Sequence, residues 1–368
     1  NPPVTVAPTA PPAPEPISIP EISKEEKLLD ALVKPLEKYA LNRRAERAKN
    51  DPEYSKRVDQ NLSEGRINFL FYAEGTMAND IDLNKAAKAG KHVLISYHIK
   101  TKAADIVSWT QDTAAPEVGK DPSVAARVEN ARGIGGFKLQ QKVVERITGL
   151  AVDFQIALQE TAIKDIVDTL EPSGLPIDIP EQFEVLAMIF DGKVYPQRLF
   201  GPNDRKLNGV EVIQFIKTVP KETKASATLE HTNRLFITFK AILASIVKKA
   251  QHSSDDPGLF LRLGGFLTKE LFSQRINYDF EPPLIIDFVS TLVSSWPKSG
   301  SEPLDIEHLL VINETVYLSY SGATKEKFAV FDPHGDNAVP RGGNFYSPNP
   351  VDEYWQATRT AIKKTLQK

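Results

Sequence analysis

The segment from Arg127 to Pro180 constrains the fold more than any other part of this chain. It opens with the glycine-rich run GIGG and continues with two amphipathic segments, each followed by a short apolar stretch. A period near 3.6 residues indicates a helix, and a short apolar run bounded by Gly or Pro indicates a strand. The pattern predicts helix 137–147, strand 153–158, helix 161–170 and strand 176–179. Helices that alternate with strands are typical of a layered α/β domain.

The sequence on both sides extends this architecture. Short runs rich in β-branched and aromatic residues predict strands, and longer amphipathic segments predict helices. We expect strands at 67–72, 92–99 and 105–109, and helices at 209–217 and 235–250. A C-terminal hairpin is predicted from 308–312 and 315–319, with a tight turn at Asn313-Glu314. The predicted fold class is α/β, a layered domain with a central mixed β-sheet flanked by helices.

An N-terminal extension precedes the main domain. Residues 1–22 are rich in Pro and Ala, a composition that cannot bury a core and favours extended polyproline II, either as a tail or as a stalk. Residues 23–64 are expected to be a helical extension that opens with the capping box SKEE at Ser23. We expect Pro35 to kink it and the charged stretch 42–64 to be a solvated helix. The main α/β domain is predicted for 65–368.

Composition narrows the classes of function. The formal net charge of -3 gives no basic field for nucleic acid, and the absence of cysteine excludes disulfides and thiolate chemistry. No apolar run reaches the roughly 18 residues of a transmembrane helix. The first residue is Asn rather than Met, so a processed N-terminus is an open alternative. The absence of cysteine fits an exported protein, and segment 1–22, if it is a stalk, would lift the domain off a membrane anchor that lies outside this sequence.

Six segments between Gly65 and Ala250 carry a resemblance to a known family. They are NFLFY at 68–72, DIVSWTQDT at 105–113, RVENARGIGG at 127–136, ITGLAVDF at 147–154, SGLPIDIP at 173–180 and LNGVEVIQF at 207–215. In this order they resemble the motifs of the LytR–CpsA–Psr (LCP) family. The resemblance implies an LCP-like fold. It also implies a membrane-anchored transferase that moves a glycopolymer from a polyprenyl-pyrophosphate lipid onto peptidoglycan.

The same resemblance indicates a phosphate site. The family lines its site with arginines, because guanidinium groups match phosphate oxygens in bidentate fashion. At the matching positions this chain has Gln111, Lys217, Val219, His231 and Arg234, so a single arginine is kept. The resemblance implies phosphate binding by Gln111, Lys217, His231 and Arg234. Asp112 and Arg234 are the implied catalytic residues.

A metal site and a lipid pocket are also implied. Asp112, and Glu74 after the first strand, stand at carboxylate positions of the family and could supply the one or two carboxylates of a Mg²⁺ site. Phe239, Ile242 and Ile246 lie on an apolar helix that resembles the wall of the family's lipid tunnel. A stripe of this kind fits ordinary core packing equally well.

Two functional hypotheses follow for the whole chain. In the first, the protein binds a polyprenyl-(pyro)phosphate-linked glycopolymer and transfers it to peptidoglycan. In the second, it is a degenerate relative that binds a lipid, a glycan or a partner of the envelope without catalysis. The run Gly133–Gly136 fits a tight turn better than a phosphate-cradling loop, since it matches no dinucleotide or P-loop fingerprint. His92 and His98 share one strand face without a third ligand, so ordinary packing or surface exposure explains them better than a metal.

Overall fold

The structure of the protein is a computed structural model. It describes residues 24–75, 88–109, 115, 128–179, 182–217 except 186, 191, 203 and 205, 234–235, 237–242, 244–246, 248–249, 262, 264–265, 269, 275–285, 287, 291, 311–318, 339–340, 346–347, 359–360, 362–364 and 366. The Pro- and Ala-rich segment 1–22 lies outside these residues. In the described part of the chain, no helix combines the length and apolarity needed to span a bilayer.

Helix and strand alternate from α4 to β5, and the described elements on either side of this stretch come in runs of one kind. The helices are α1 (Lys24–Asn50), α2 (Tyr54–Arg57), α3 (Gln60–Ser63), α4 (Val128–Thr148), α5 (Glu160–Leu170) and α6 (Gly209–Lys217). The strands are β1 (Arg66–Gly75), β2 (Lys88–His98), β3 (Ala103–Trp109), β4 (Phe154–Gln159), β5 (Leu175–Pro176), β6 (Phe183–Val185), β7 (Met188–Phe190), β8 (Lys193–Tyr195), β9 (Arg198–Phe200), β10 (Lys206–Leu207), β11 (Ile276–Tyr278), β12 (Val311–Leu318), β13 (Val339–Pro340) and β14 (Tyr346–Ser347).

A six-stranded mixed sheet forms the centre, in the order β11-β4-β1-β2-β3-β12. β1 pairs in parallel with β4 and antiparallel with β2, and β3 pairs antiparallel with β2 and in parallel with β12. The C-terminal ends of β1, β3 and β4 therefore lie at the same edge of the sheet. The strands β1, β2, β3 and β4 each lie where the sequence predicts a strand, with end points that differ by a few residues.

One face of the sheet packs against α4 and a C-terminal helical segment. Alternation along a strand places every second side chain on this face. The buried residues of this layer include Leu70, Tyr72, Leu94, Val107, Trp109, Val143, Val144, Ile147, Ile362 and Leu366. Full burial of a large apolar side chain contributes about 1.5–3 kcal/mol, so this layer is a major source of stability.

The opposite face has two neighbouring covers. Residues of α1, together with Phe280 and Leu284 after β11, pack on the half of the sheet that contains Ile67, Phe69 and Phe154. Helices α5 and α6 and the segment 234–249 cover the half around Ala73. Helices on both faces of a mixed sheet make a three-layer α/β arrangement.

The charged stretch of α1 is not solvated as predicted. α1 continues through Pro35 to Asn50, and three of its arginines reach into the domain. Arg44 forms a bidentate ion pair with the fully buried Asp153. Arg43 pairs with Asp279 at 2.9 Å, and Arg47 pairs with Glu145. Buried carboxylates more than 90 residues away in the sequence thus hold this part of the helix against the core.

Two local predictions are corrected, and a third is extended. The predicted helix 137–147 is the part of α4 after the kink at Gly135 and Gly136, and a further helical stretch from Val128 precedes these glycines. The predicted strand 176–179 shrinks to the two residues of β5, since Leu175 and Pro176 pair only with the short β10. The predicted hairpin at 313–314 is instead one strand, β12, whose pairing with β3 shifts register between Ile312 and Thr315. A bulge absorbs the residues expected to form the turn.

Gly209 allows α6 to approach α5 closely. A Cβ at this position would lie 2.3 Å from the carbonyl oxygen of Lys164, while the Gly209 N–H donates to Asp168 Oδ1 at 2.7 Å. We therefore expect Gly209→Ala to lower the free energy of unfolding by at least about 1 kcal/mol through steric displacement of the two helices. Urea unfolding would measure this loss. Val210→Ala serves as a comparison. It also leaves an alanine in the first turn of α6, but it removes atoms and adds none.

Candidate functional site

Glu74 lies at the C-terminal end of β1, on the α4 face of the sheet, and is 5% exposed. Its Oε1 atom is 2.9 Å from Arg132 Nε, and its Oε2 atom accepts a hydrogen bond from Asn277 Nδ2 at 3.1 Å. Three elements, β1, α4 and β11, thus meet at one carboxylate. A buried carboxylate needs a cation and hydrogen-bond donors to offset its lost hydration, and Arg132 and Asn277 supply them.

The glycine kink of α4 positions Arg132. Gly135 and Gly136 leave helical geometry, and Gly136 has φ of +63°, a conformation that strains other residues. The Arg132 guanidinium lies over the Phe137 ring, 4.1 Å from its centroid. Gln155 Nε2 donates to the Phe137 carbonyl oxygen at 3.0 Å and fixes the chain just after the kink. The glycines therefore make a turn that presents an arginine, in agreement with the preference for a turn over a phosphate loop.

We expect Gly136→Ala to disturb the Arg132–Glu74 pair. The substitution imposes strain at positive φ, and a Cβ at position 136 would lie 3.8 Å from Arg132 Nη1, so the methyl group itself fits. The expected cost is about 1–3 kcal/mol from the backbone alone, because φ of +63° with ψ of −159° is a region that essentially only glycine occupies. Thermal unfolding measures the cost, and Ala131→Gly on the same helix is a backbone comparison without a positive-φ requirement. An unchanged midpoint for Gly136→Ala would contradict this account.

Asp279, just after β11, connects the site with α1. Its carboxylate accepts from the backbone N–H of Gln155 at 2.7 Å and from Gln155 Nε2 at 2.8 Å, and it pairs with Arg43. The same strand contributes Asn277 to Glu74. The N-terminal helix and the Glu74 carboxylate are therefore linked through one short strand.

A buried aromatic and polar layer lies beside Glu74. The rings of Tyr72 and His92 are 5.7 Å apart, and His92 stacks on Trp109 at 5.3 Å. Gln140 Nε2 lies 2.9 Å from His92 Nε2. Burial lowers the pKa of His92 to about 3, so its ring is neutral at physiological pH. Burial also raises the pKa of Tyr72, which keeps its hydroxyl protonated.

Arg234 and Lys217, two of the residues predicted to bind phosphate, belong to the layer on the other face. Arg234 is 6% exposed; its Nη1 atom is 3.5 Å from the Phe215 carbonyl oxygen, and its guanidinium lies over the Phe215 ring. Lys217 ends α6 and pairs with Glu160 at 2.7 Å, with 41% of its side chain exposed. Lys217 is at the C-terminal end of α6. Arg234 begins the next helical segment and contacts Phe215, near that same end of α6.

The residues predicted for the lipid pocket lie in the same layer. The Phe239 ring is 5.8 Å from that of Phe71 on β1, and Ile242 packs against the core around α5 and α6. Ile246 is 42% exposed. Because Phe71 and Glu74 are three positions apart on one strand, they point to opposite faces of the sheet. The apolar helix therefore approaches the sheet from the face that does not hold the carboxylate.

Gln111, Asp112 and His231 lie outside the described residues. Trp109, the last residue of β3, lies two positions before Gln111 at the sheet edge where β1 also ends. The structure therefore does not describe the geometry of the predicted Asp112–Glu74 metal site. Among the residues that it does describe, no three His, Asp or Glu side chains are grouped so that they could hold a metal ion.

Arg132 and Asn277 are site residues that sequence reasoning did not single out. Arg132 stands inside the quoted run RVENARGIGG, where a positive charge next to a glycine turn was the available signal. Asn277 gave none, because it follows Glu74 by about 200 residues and its strand has only three residues.

A separate cleft of about 400 Å³ lies between α5, α6 and the connection from β8 to β9. Its lining includes Asp168, Arg198, Asn208 and Glu211. Arg198 pairs with Glu211 and with Asp204 at 3.0 Å, and Asp168 accepts from the Gly209 N–H. These charges neutralise one another, which is the behaviour of a structural surface network.

The fold and the site define an α/β protein with a buried carboxylate–guanidinium pair at one edge of a mixed sheet. The LytR_cpsA_psr family model matches residues 36–249, more than half of the chain. This chain belongs to the LytR_cpsA_psr family, as its motifs predict.

Individual relatives are more distant. TagT of Bacillus subtilis (strain 168), a polyisoprenyl-teichoic acid–peptidoglycan teichoic acid transferase, is 24% identical over 173 residues, covering 46% of this chain and 48% of TagT. TagU of Bacillus licheniformis, named for the same activity, is 25% identical over 130 residues, covering 35% of this chain and 38% of TagU. The chain thus spans less than half the length of these curated relatives.

Solved structures support the fold. Protein gbs0355 from Streptococcus agalactiae superposes with a TM-score of 0.51 at 14% identity, covering 84% of this chain and 91% of that protein. The predicted fold class, a central mixed sheet flanked by helices with an N-terminal helical extension, is confirmed.

Proposed function

We propose that this protein binds a polyprenyl-(pyro)phosphate-linked glycopolymer at the cell envelope and transfers it to peptidoglycan. Family membership supports the proposal, as do the names of TagT and TagU, which describe transfer of teichoic acid from a polyisoprenyl carrier. On this proposal the protein acts outside the cytoplasm, at the membrane of the cell envelope.

The observation that carries the proposal is the Glu74–Arg132 pair at the edge where β1 and β3 end. Phosphoryl transfer depends mainly on positioning and on cations that offset developing negative charge. A guanidinium held by a buried carboxylate provides such a cation, and its position is already fixed before the ligand binds. β3 ends at this edge two residues before Gln111, so the predicted catalytic segment starts from the same side of the sheet.

The remaining site residues keep the roles implied by the family. Asp112 and Arg234 are the proposed catalytic residues, and Gln111, Lys217 and His231 join Arg234 in phosphate binding. Phe239, Ile242 and Ile246 are proposed to contact the lipid. Buried Arg234 lies on the same helical segment as these apolar residues, so a lipid along that segment would end near a guanidinium.

A second proposal is a non-catalytic LCP-like protein that binds the lipid-linked glycan or acts as a scaffold. At three positions where the family has arginine, this chain has Gln111, Val219 and His231 instead. Lys217, which resembles a fourth, is paired with Glu160 and is largely at the surface. This loss of positive charge would weaken stabilisation of a pyrophosphate more than it would weaken burial of a lipid tail.

Lipid retention and transfer separate the two proposals. Mass spectrometry of the purified protein should reveal a polyprenyl phosphate, and a transfer assay with a polyprenyl-pyrophosphate-linked glycan and peptidoglycan should give product in the presence of Mg²⁺ or Mn²⁺. Retention of lipid without transfer or pyrophosphatase activity would remove the first proposal and leave the second. A protein that neither retains lipid nor acts on the carrier would contradict both.

Arg234→Ala is expected to reduce transfer at least about tenfold, because one charge-stabilising donor is removed from the phosphate site. Lys240→Ala, an exposed cation on the same helical segment, should have little effect. Arg234→Lys, which keeps the charge and loses the planar fork, should lie between them. Thermal unfolding of the three variants identifies any loss that comes from folding. Equal activity of Arg234→Ala and Lys240→Ala would contradict the role of Arg234.

A further inference from the structure

We propose that the Arg132 guanidinium is the resident cation of Glu74 and occupies the place on this carboxylate that a divalent metal ion would take. Arg132 would then bridge Glu74 and the phosphate of the ligand, as a metal ion does elsewhere. The phosphate part of the inference rests on the proposed function, and the part that concerns the metal does not.

One carboxylate oxygen of Glu74 accepts a hydrogen bond, and the other lies at ion-pair distance from a guanidinium nitrogen without hydrogen-bond geometry. Oε1 is 2.9 Å from Arg132 Nε, and Oε2 accepts from Asn277 Nδ2 at 3.1 Å. Mg²⁺ requires near-octahedral oxygen ligands at about 2.0–2.1 Å and keeps several of its waters. Room for it at Glu74 would require displacement of a positive charge from a carboxylate that is 5% exposed. The described surroundings of Glu74 therefore fit an arginine better than a metal.

Arg132 is fixed from its other sides. Its guanidinium lies 4.1 Å from the centroid of the Phe137 ring, an arrangement that stabilises a cation. Its Nη1 atom is close to Gly136, where the positive φ turns the chain away. Contacts on three sides define the position of the group without a metal ion.

The edge of the Arg132 guanidinium that is not directed at Glu74 carries further N–H donors. A planar guanidinium carries five N–H donors, and its atom at ion-pair distance from Glu74 is Nε. The Arg132 side chain is 20% exposed, so part of it reaches solvent at the sheet edge. Arginine presents paired donors that match phosphate oxygens, and a carboxylate behind it holds the fork in place. A carboxylate, a guanidinium and a phosphate in sequence reproduce the charge order of a carboxylate, Mg²⁺ and a phosphate.

The proposal predicts which cation each variant uses. The wild-type protein should bind inorganic pyrophosphate in EDTA, and it should have no Mn²⁺ site that depends on Glu74. Arg132→Gln should weaken pyrophosphate binding in EDTA at least tenfold. The same substitution frees the Glu74 carboxylate and should create a Mn²⁺ site, which Glu74→Gln in the Arg132→Gln background should remove.

Isothermal titration with pyrophosphate in EDTA and electron paramagnetic resonance of free Mn²⁺ measure these two properties in the purified chain. Arg132→Lys is the matched control, since it keeps the charge and should keep Mn²⁺ out. Thermal unfolding verifies that every variant is folded. If Arg132→Gln unfolds the chain, Arg132→Lys still tests the proposal, because a lysine lacks the planar fork and should lose pyrophosphate affinity while still excluding Mn²⁺.

Two results would overturn the inference. One is a Mn²⁺ site in the wild-type protein that Glu74→Gln abolishes. The other is the failure of Arg132→Gln to show both changes, the loss of pyrophosphate affinity and the gain of Mn²⁺. The Mn²⁺ measurements involve neither lipid nor glycan, so a protein that excludes Mn²⁺ as expected but transfers no glycopolymer would count against the proposed function alone.

Discussion

Asp153→Ala is expected to lower the free energy of unfolding by about 3–5 kcal/mol, because it removes one partner of a buried ion pair and leaves the other charge uncompensated. Asp153 is fully buried. Its two oxygens accept from Arg44 Nε at 2.7 Å and Arg44 Nη2 at 2.5 Å, and Oδ2 also accepts from the backbone N–H of Asn68 at 2.9 Å. The substitution would thus remove the carboxylate that joins Arg44 of α1 to the backbone of β1 and would leave only the bonds from Arg44 to the carbonyl oxygens of Ser63 and Arg66.

Urea unfolding followed by far-ultraviolet circular dichroism gives the measurement. The comparison variant is Glu53→Ala, whose ion pair with Lys56 is exposed on both sides. An exposed pair contributes about 0–1 kcal/mol, so the two variants should differ several-fold in cost. Similar costs for Asp153→Ala and Glu53→Ala would show that the buried pair does not hold α1 to the domain.

The same ion pairs show where sequence reasoning reaches its limit. The apolar runs of β1 to β4 identify strands because burial of alternate side chains leaves a local pattern. The arginines of α1 leave no such pattern, because the sequence does not distinguish an arginine that pairs with a buried carboxylate from one that is exposed to solvent. Asp153 is 109 positions from Arg44, so only the folded chain brings the two together.

Glu74 illustrates the limit for the candidate site. Its position after the first strand is readable from the sequence, and the structure places it in a buried setting at the sheet edge. Its partner Arg132 belongs to a motif that sequence comparison treats as a scaffold for a turn. The charge of Arg132 acquires a role only because the kink at Gly136 and the parallel pairing of β1 with β4 fix the start of α4 beside the C-terminal end of β1. A linear motif does not contain that information.

The buried layer beside Glu74 also leads to a prediction about pH. Unfolding should become easier as the pH falls from about 7 to 5, and His92 should account for about 2 kcal/mol of the change. In the folded protein burial lowers the pKa of His92 to about 3, whereas the unfolded chain takes up the proton near the ordinary value of 6.5. Between these values the unfolded state binds more protons, so stability is present above pH 6.5 and is lost towards pH 3.

The hydrogen bond of His92 explains why the folded protein resists this proton. Gln140 Nε2 lies 2.9 Å from His92 Nε2, and with the amide nitrogen as the donor this ring nitrogen accepts. A proton placed there would face the Gln140 amide hydrogens inside a layer that excludes water. Urea unfolding at several pH values should give a shallower slope for His92→Phe than for the wild-type protein. His98→Asn changes a partly exposed histidine on the same strand and should keep most of the slope. If His92→Phe keeps the full wild-type slope, other groups cause the acid sensitivity, and the neutral His92 does not limit stability at low pH.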